Sequence, residues 1–251
     1  MFETDQYEGM LAETVSIEGN GGDFINAYFA RPLGPGPVGT VVLLHHMPGW
    51  DEFYKEAARK IAYHGYAVLM PNLYARNGHG SPDDVAARVR TEGGVADDQV
   101  VGDAQASLRY LRALPYGNGK VGIMGGCSGG RQAYITACRT PGWNAVVDLW
   151  GGGVVMADKD LTEKRPVSPI TYTSGLVAPL LGLFGELDKN PPVEQVAQHE
   201  AELNKQGKEY EFHIYPDAGH GFFETNRPGY RQAQAVDAWV KIFAFFERTL
   251  R

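Results

Sequence analysis

The sequence is poor in cysteine: two in 251 residues, Cys127 and Cys138, too few for a disulfide-held secreted scaffold. It also lacks an excess of positive charge. Basic residues number 23 against 30 acidic, and the net charge of −7 argues against a nucleic-acid footprint or a polybasic membrane anchor. Long apolar runs are missing too; segments 41–44 and 180–183 fall far below the roughly 18 residues a membrane-spanning helix needs. The opening residues Met1, Phe2, Glu3, Thr4 and Asp5 are acidic, with no basic stretch leading into an apolar one. No secretory signal is visible there, and a cytoplasmic location is expected. With no internal repeat, low-complexity tract or long charge block, residues 1–251 read as a single domain.

Glycine, by contrast, is plentiful at 32 residues. Segments 12–18 and 24–31 alternate or run apolar around Gly19, Asn20, Gly21 and Gly22, which predicts an antiparallel hairpin with a flexible turn. Residues 32–37 form a stiff connector. Beyond it, 40–45, 67–70, 121–124, Ala145–Leu149 and 180–184 are short apolar runs without alternation, as expected of strands buried on both faces. Amphipathic stretches lie between them: 54–64 with Ala57, Ile61 and Ala62 on one face, and 100–114 with Ala104, Leu108 and Leu111. The alternation predicts an α/β fold with a mostly parallel central sheet and helices on both faces. A last strand at Tyr210–Tyr215 precedes a helix over 230–249, where Val236, Trp239, Val240, Phe243 and Phe246 recur at helical spacing and read as core. Two Gly/Pro/Ser-rich loops, 76–84 and 157–175, are long enough to serve function.

The densest glycine cluster runs Gly122, Ile123, Met124, Gly125, Gly126, Cys127, Ser128, Gly129, Gly130. It falls between a buried strand and a helix over 131–139, where a sharp turn with small residues at −2 and +2 exposes one side chain at a helix N-terminus. Two registers fit, one centred on Cys127 between Gly125 and Gly129, the other on Ser128 between Gly126 and Gly130. Cys127 is favoured because a thiolate at a helix N-terminus is a better nucleophile than an unassisted hydroxyl. A phosphate-cradling loop would need a lysine where Arg131 stands. Cys138, inside the helix, suits inert packing.

Such an elbow requires an acid and then a histidine, each after a later strand. Segment 180–184 leads into Gly185, Glu186, Leu187 and Asp188, offering Asp188 first and Glu186 second. Tyr215 leads through Asp217 and Gly219 to His220, at the strand edge where open α/β sheets place their sites.

These residues resemble the dienelactone hydrolase (carboxymethylenebutenolidase) family of α/β hydrolases over most of the chain. Segment 40–49 is similar to the family's first buried strand and oxyanion loop, 65–76 to its G-Y to L-Y-A-R run, 121–130 to its G-x-C-x-G-G elbow, and 185–188 and 215–222 to its acid and histidine segments. The resemblance implies the α/β-hydrolase fold, Cys127 as nucleophile, His220 as base, Asp188 as its orienter, and the backbone N–H groups of Met47 and Ser128 as oxyanion donors. It implies ester or lactone hydrolysis through a thioester, with no cofactor and no metal.

Two departures bear on the substrate. The family commonly has glutamate where this chain has His46, and an imidazole near Cys127 favours the thiolate. The tandem His45 and His46 lack zinc-ligand spacing. Arg76 matches one of two family arginines that hold a substrate carboxylate, but the second position is Glu224, which would repel an anion. A neutral ester, lactone or other activated acyl substrate is therefore expected, with Trp50, Tyr74 and Phe222 as pocket walls beside His46 and Arg76. Hydrolysis of phosphotriesters by the same groups is the mechanistic alternative; a non-enzymatic or redox relative is the other. No nucleic-acid or membrane partner is expected, and the chain reads as a monomer or homodimer.

Overall fold

The computed structural model describes residues 9–34 and 36–251; the acidic opening at 1–5, and Pro35 of the connector, lie outside the described residues. The chain runs β1 (Met10–Glu18), β2 (Phe24–Pro32), β3 (Val38–Leu44), α1 (Glu52–Tyr63), β4 (Ala67–Pro71), α2 (Pro82–Thr91), α3 (Asp97–Arg112), β5 (Gly117–Gly126), α4 (Ser128–Arg139), β6 (Ala145–Leu149), β7 (Leu180–Gly185), α5 (Val193–Lys205), β8 (Tyr210–Tyr215) and α6 (Gln232–Leu250). The strands form one eight-stranded sheet in the order β1-β2-β4-β3-β5-β6-β7-β8. β1, β2 and β4 pair antiparallel, and every pair from β4 onward through β3 to β8 is parallel.

The sequence explains both regimes. Every residue of β3, β4, β6 and β7 is buried, because helices cover both faces and no polar alternation is needed. One apolar layer joins the sheet to α2, α3 and α4 through Ala86, Val89, Val100, Ala104, Leu108 and Tyr134. The other joins it to α1 and α6 through Ala57, Ile61, Ala238, Ile242, Phe243 and Phe246. β1 has a single partner strand and is mostly exposed.

The core stripe of α6 differs from the sequence expectation. Phe243 and Phe246 are buried, but Val236 and Val240 are about half exposed, and Ala235, Ala238 and Ile242 take the inner face. The loop expected at 76–84 yields to α2 at Pro82, where Ser81 caps the helix by accepting from the Asp84 amide at 3.2 Å. The hairpin turn is a single tethered 3-10 turn at Asn20–Gly22, not a loose one: the Asn20 amide donates to Asp103 of α3 at 2.7 Å.

Because β3 and β5 to β8 are parallel, their C-terminal ends share one edge of the sheet. Residues 45–51, 127–128, 186–190 and 216–224 all leave from that edge. Among the described residues, no helix is long and apolar enough to cross a membrane.

Candidate active site

Cys127 stands where β5 gives way to α4, with φ 56° and ψ −124°. This is left-handed backbone that a non-glycine residue holds only under constraint. Ser128 is already the first residue of α4, so the constrained centre of the turn is Cys127. The flanking glycines let it close: a Cβ on Gly125 would lie 2.3 Å from the Gly129 carbonyl oxygen, and one on Gly129 would lie 2.3 Å from that of Leu44. The Cys127 amide donates to Leu149 at 2.9 Å, which fixes the turn to the end of β6.

Two other strand ends deliver partners. The loop after β8 brings His220 close enough to the Cys127 sulfur for each to shift the titration of the other. The loop after β7 places Asp188 behind the ring, its Oδ2 2.9 Å and Oδ1 3.2 Å from His220 Nδ1. The Asn190 amide donates to Asp188 Oδ1 at 2.8 Å and holds this buried carboxylate in place. Glu186, the second-choice acid, is exposed and accepts from the Asp217 amide instead. Burial pulls the His220 imidazole down, but Asp188 and Cys127 outweigh it and push it up to about 10. Burial pushes the Cys127 thiol up, yet His220, the Ser128 amide and the charge of His46 together hold it below its ordinary value.

Met47 follows β3, and its carbonyl accepts from the Tyr74 hydroxyl at 3.0 Å. Its amide donates to no group among the described residues, while the Ser128 amide helps to lower the Cys127 thiol. Both N–H groups are therefore available to a negative charge.

His46 is buried, which corrects its expected place as a substrate contact. Its Nε2 lies 2.7 Å from Asp51 Oδ2 and its Nδ1 3.1 Å from Glu224 Oε1. Burial pulls this imidazole down, but the two carboxylates raise it above its ordinary value. Asp51 also caps α1 by accepting from the Tyr54 amide at 3.1 Å, so one carboxylate serves both helix and histidine. His45 stays a structural residue: Nδ1 donates to the His46 carbonyl at 2.9 Å and Nε2 accepts from the Leu73 amide at 3.2 Å. Burial lowers its imidazole to about 4, keeping it neutral.

Three further expectations change. Glu224 is buried between His46 and Arg227, whose Nε lies 2.8 Å away; its charge is answered locally and is not free to repel an anion. Arg76 is engaged by Asp23 at 2.7 Å and Asp103 at 2.8 Å, so it ties the hairpin turn to α3 and is not a substrate clamp. Phe222 is fully buried against Trp150 and Tyr215, a core residue and not a pocket wall. Trp50 and Tyr74 do line a common cavity of about 200 Å³, with Asn72, His79, Pro82 and Val85. Cys138 is buried and its thiol is pushed up to about 12 by that burial, the environment of an inert cysteine.

The sequence reading missed Asp51. Asp51 was findable as a helix N-cap three residues before Tyr54, but only the fold turns its other oxygen to His46.

The dienelactone hydrolase family profile matches residues 25–250. A Methylorubrum extorquens protein assigned as a carboxymethylenebutenolidase is 33% identical over 243 residues, covering 96% of this chain and 82% of that protein. Among solved structures, a Klebsiella pneumoniae protein assigned as a dienelactone hydrolase superposes with a TM-score of 0.87 at 28% identity, covering 96% of this chain and 100% of that one. A dienelactone hydrolase-like promiscuous phosphotriesterase from metagenomic libraries has a TM-score of 0.79 at 21% identity, covering 96% and 99%, and shares the fold.

Proposed function

The chain belongs to the dienelactone hydrolase family, a hydrolase family, and from that premise we propose that it cleaves ester or lactone bonds with Cys127 as nucleophile, His220 as base and Asp188 as orienter. The observation that carries this reading is the constrained Cys127 backbone at the N-terminus of α4, with the sulfur facing an imidazole that Asp188 holds at 2.9 Å.

The Cys127 thiolate attacks the substrate carbonyl carbon, and the C=O electron pair moves onto oxygen. The Met47 and Ser128 amides receive that oxyanion. The tetrahedral adduct collapses as the C–O bond breaks, and the His220 imidazolium gives its proton to the leaving alkoxide or enolate. A thioester on Cys127 remains. Neutral His220 then takes a proton from water as its oxygen attacks the thioester, and collapse returns the carboxylic acid and the thiolate. Asp188 keeps Nδ1 protonated throughout, so that Nε2 does the exchange.

His46 supports the first step from outside the reacting atoms. Held between Asp51 and Glu224, it is a buried cation whose field favours the thiolate. Cys127→Ala should remove at least about 10³-fold of the turnover of 4-nitrophenyl esters, whereas Ser128→Ala, which keeps its amide, should retain activity within about tenfold. The reverse pattern would overturn the assignment of the nucleophile.

A further inference from the structure

A carboxyl group lies beneath the elbow with no cation to answer it. Asp148 is the one polar residue of β6 and is fully buried. Its partners across the ladder, Gly125 of β5 and Gly182 of β7, have no side chains. The space over those glycines is filled by the α4 backbone at Gly129 and by the ring of Phe212. Asp148 Oδ1 accepts from the Gly151 amide at 2.8 Å, while Oδ2 has no hydrogen-bond partner among the described residues. A carboxylate enclosed in this way would hold its charge on a single hydrogen bond, a cost that the acid form avoids. Burial accordingly pushes this carboxyl up to about 7, against the pull of the Gly151 amide.

The titratable groups on the helices over this face of the sheet are neutral or engaged elsewhere. From α4 come Arg131, bonded to both oxygens of Asp97, Tyr134, bonded to Thr173 at 2.6 Å, and Cys138, whose thiol burial keeps protonated. From α5 comes His199, which burial lowers to about 3, and from α3 comes Asp103, paired with Arg76.

The backbone is shaped around the carboxyl group. A Cβ on Gly130 or on Gly151 would lie 2.3 Å from Asp148 Oδ1. Gly130 belongs to the first turn of α4, where its amide donates to the Cys127 carbonyl at 3.1 Å. Gly151 closes the turn that follows β6, in which Trp150 is held in left-handed backbone at φ 42°. Just before Trp150, the Leu149 carbonyl receives the Cys127 amide at 2.9 Å. Asp148 therefore braces both backbone supports of Cys127, the turn that bonds its amide and the helical turn that bonds its carbonyl.

We propose that Asp148 is a positioning residue for Cys127, an uncharged acid at and below neutral pH that fixes the turn after β6 against the first turn of α4. It touches no reacting atom. Where turnover is the readout, the proposal rests on Cys127 as nucleophile; where stability is the readout, it does not.

The test uses Asp148→Asn, which keeps an uncharged acceptor of the same shape, and Asp148→Ala, which removes it. With a 4-nitrophenyl ester at neutral pH, the Asn variant should keep kcat within about twofold, and the Ala variant should lose about tenfold in kcat with KM within about twofold. The second readout is the urea midpoint against pH. A raised folded-state pKa means that Asp148 costs no stability below the unfolded value of about 3.9 and a growing amount as pH rises to about 7. Asp148→Asn removes that cost, so its midpoint should gain on wild type between those values and then level off. A kcat unmoved in Asp148→Ala, a loss in Asp148→Asn equal to that in Asp148→Ala, or a gap between Asn variant and wild type that stays flat with pH would each overturn the proposal. Should Asp148→Ala fail to fold, the Asn variant decides: retained kcat with a widening gap supports the proposal, and lost kcat or a flat gap overturns it. Turnover that survives Cys127→Ala would contradict the nucleophile instead, and the stability gap would still decide for Asp148.

Discussion

Glu224 Oε1 lies 3.1 Å from Nδ1 of His46, with both side chains buried. The sequence places them 178 positions apart, and each looked like a departure from the family pattern: a histidine for a glutamate, a glutamate for an arginine. In the fold they answer one another.

Removing that imidazole leaves Asp51 with only the Tyr54 amide and Glu224 with only Arg227 among the partners described above, each carboxylate largely buried. His46→Gln should therefore destabilise the protein by about 2–3 kcal/mol, with a fall in Tm of roughly 4–12 °C. Because the folded-state pKa of His46 is raised, its contribution is complete below the unfolded value of about 6.5 and fades as pH rises through the folded value. The stability gap between wild type and variant, measured by urea denaturation, should narrow as pH rises above about 6.5. A gap that widens would contradict the charged imidazole.

The Cys127 thiol should ionise readily. Iodoacetamide rates against pH should give an apparent thiol midpoint below the free value of about 8.5, and His46→Gln should move it upward. Since His220 is raised to about 10, kcat/KM should hold on the alkaline side until about that pH and then fall, as the proton for the leaving group is lost. A thiol midpoint at or above about 8.5 in wild type would contradict this picture.

Arg76 offers a contrast between site and scaffold. Its loss strands Asp103, which is fully buried, and unties the hairpin turn from α3. Arg76→Ala should cost about 2–3 kcal/mol in stability, discounted for the partial exposure of the arginine. KM for an anionic ester should stay within about twofold; a tenfold rise with unchanged stability would restore Arg76 as a substrate clamp.

The elbow glycines should tolerate nothing larger. A Cβ on Gly125 meets backbone at 2.3 Å, which no side-chain rotation relieves. Gly125→Ala should cost about 3 kcal/mol and lower activity more than Ala at exposed Gly207; equal effects at the two positions would show that the turn is not closed by this contact.

The buried parallel strands were legible because their apolar runs have no polar face to confuse the period, and the order of Cys127, Asp188 and His220 was legible because the first two follow such runs and His220 follows the last strand, which is only partly buried. Val236 and Val240 show where periodicity fails: in a helix whose apolar stripe is wide, the sequence does not say which edge faces in, and Ala235 and Ala238 took the inner positions. The charges were least legible. Whether Glu224 repels or Arg76 clamps depends on partners 27 to 178 residues away or more locally on Arg227, and only the fold supplies that pairing.

The account turns on Cys127 carrying the substrate's acyl group. Intact-mass analysis during turnover of a panel of esters, lactones and phosphotriesters should show a single adduct equal to the acyl mass for esters or lactones, mapped to Cys127 and absent from Cys127→Ala. Turnover with no adduct on Cys127 under rapid quench, or an adduct that persists in Cys127→Ala at Ser128, would contradict it.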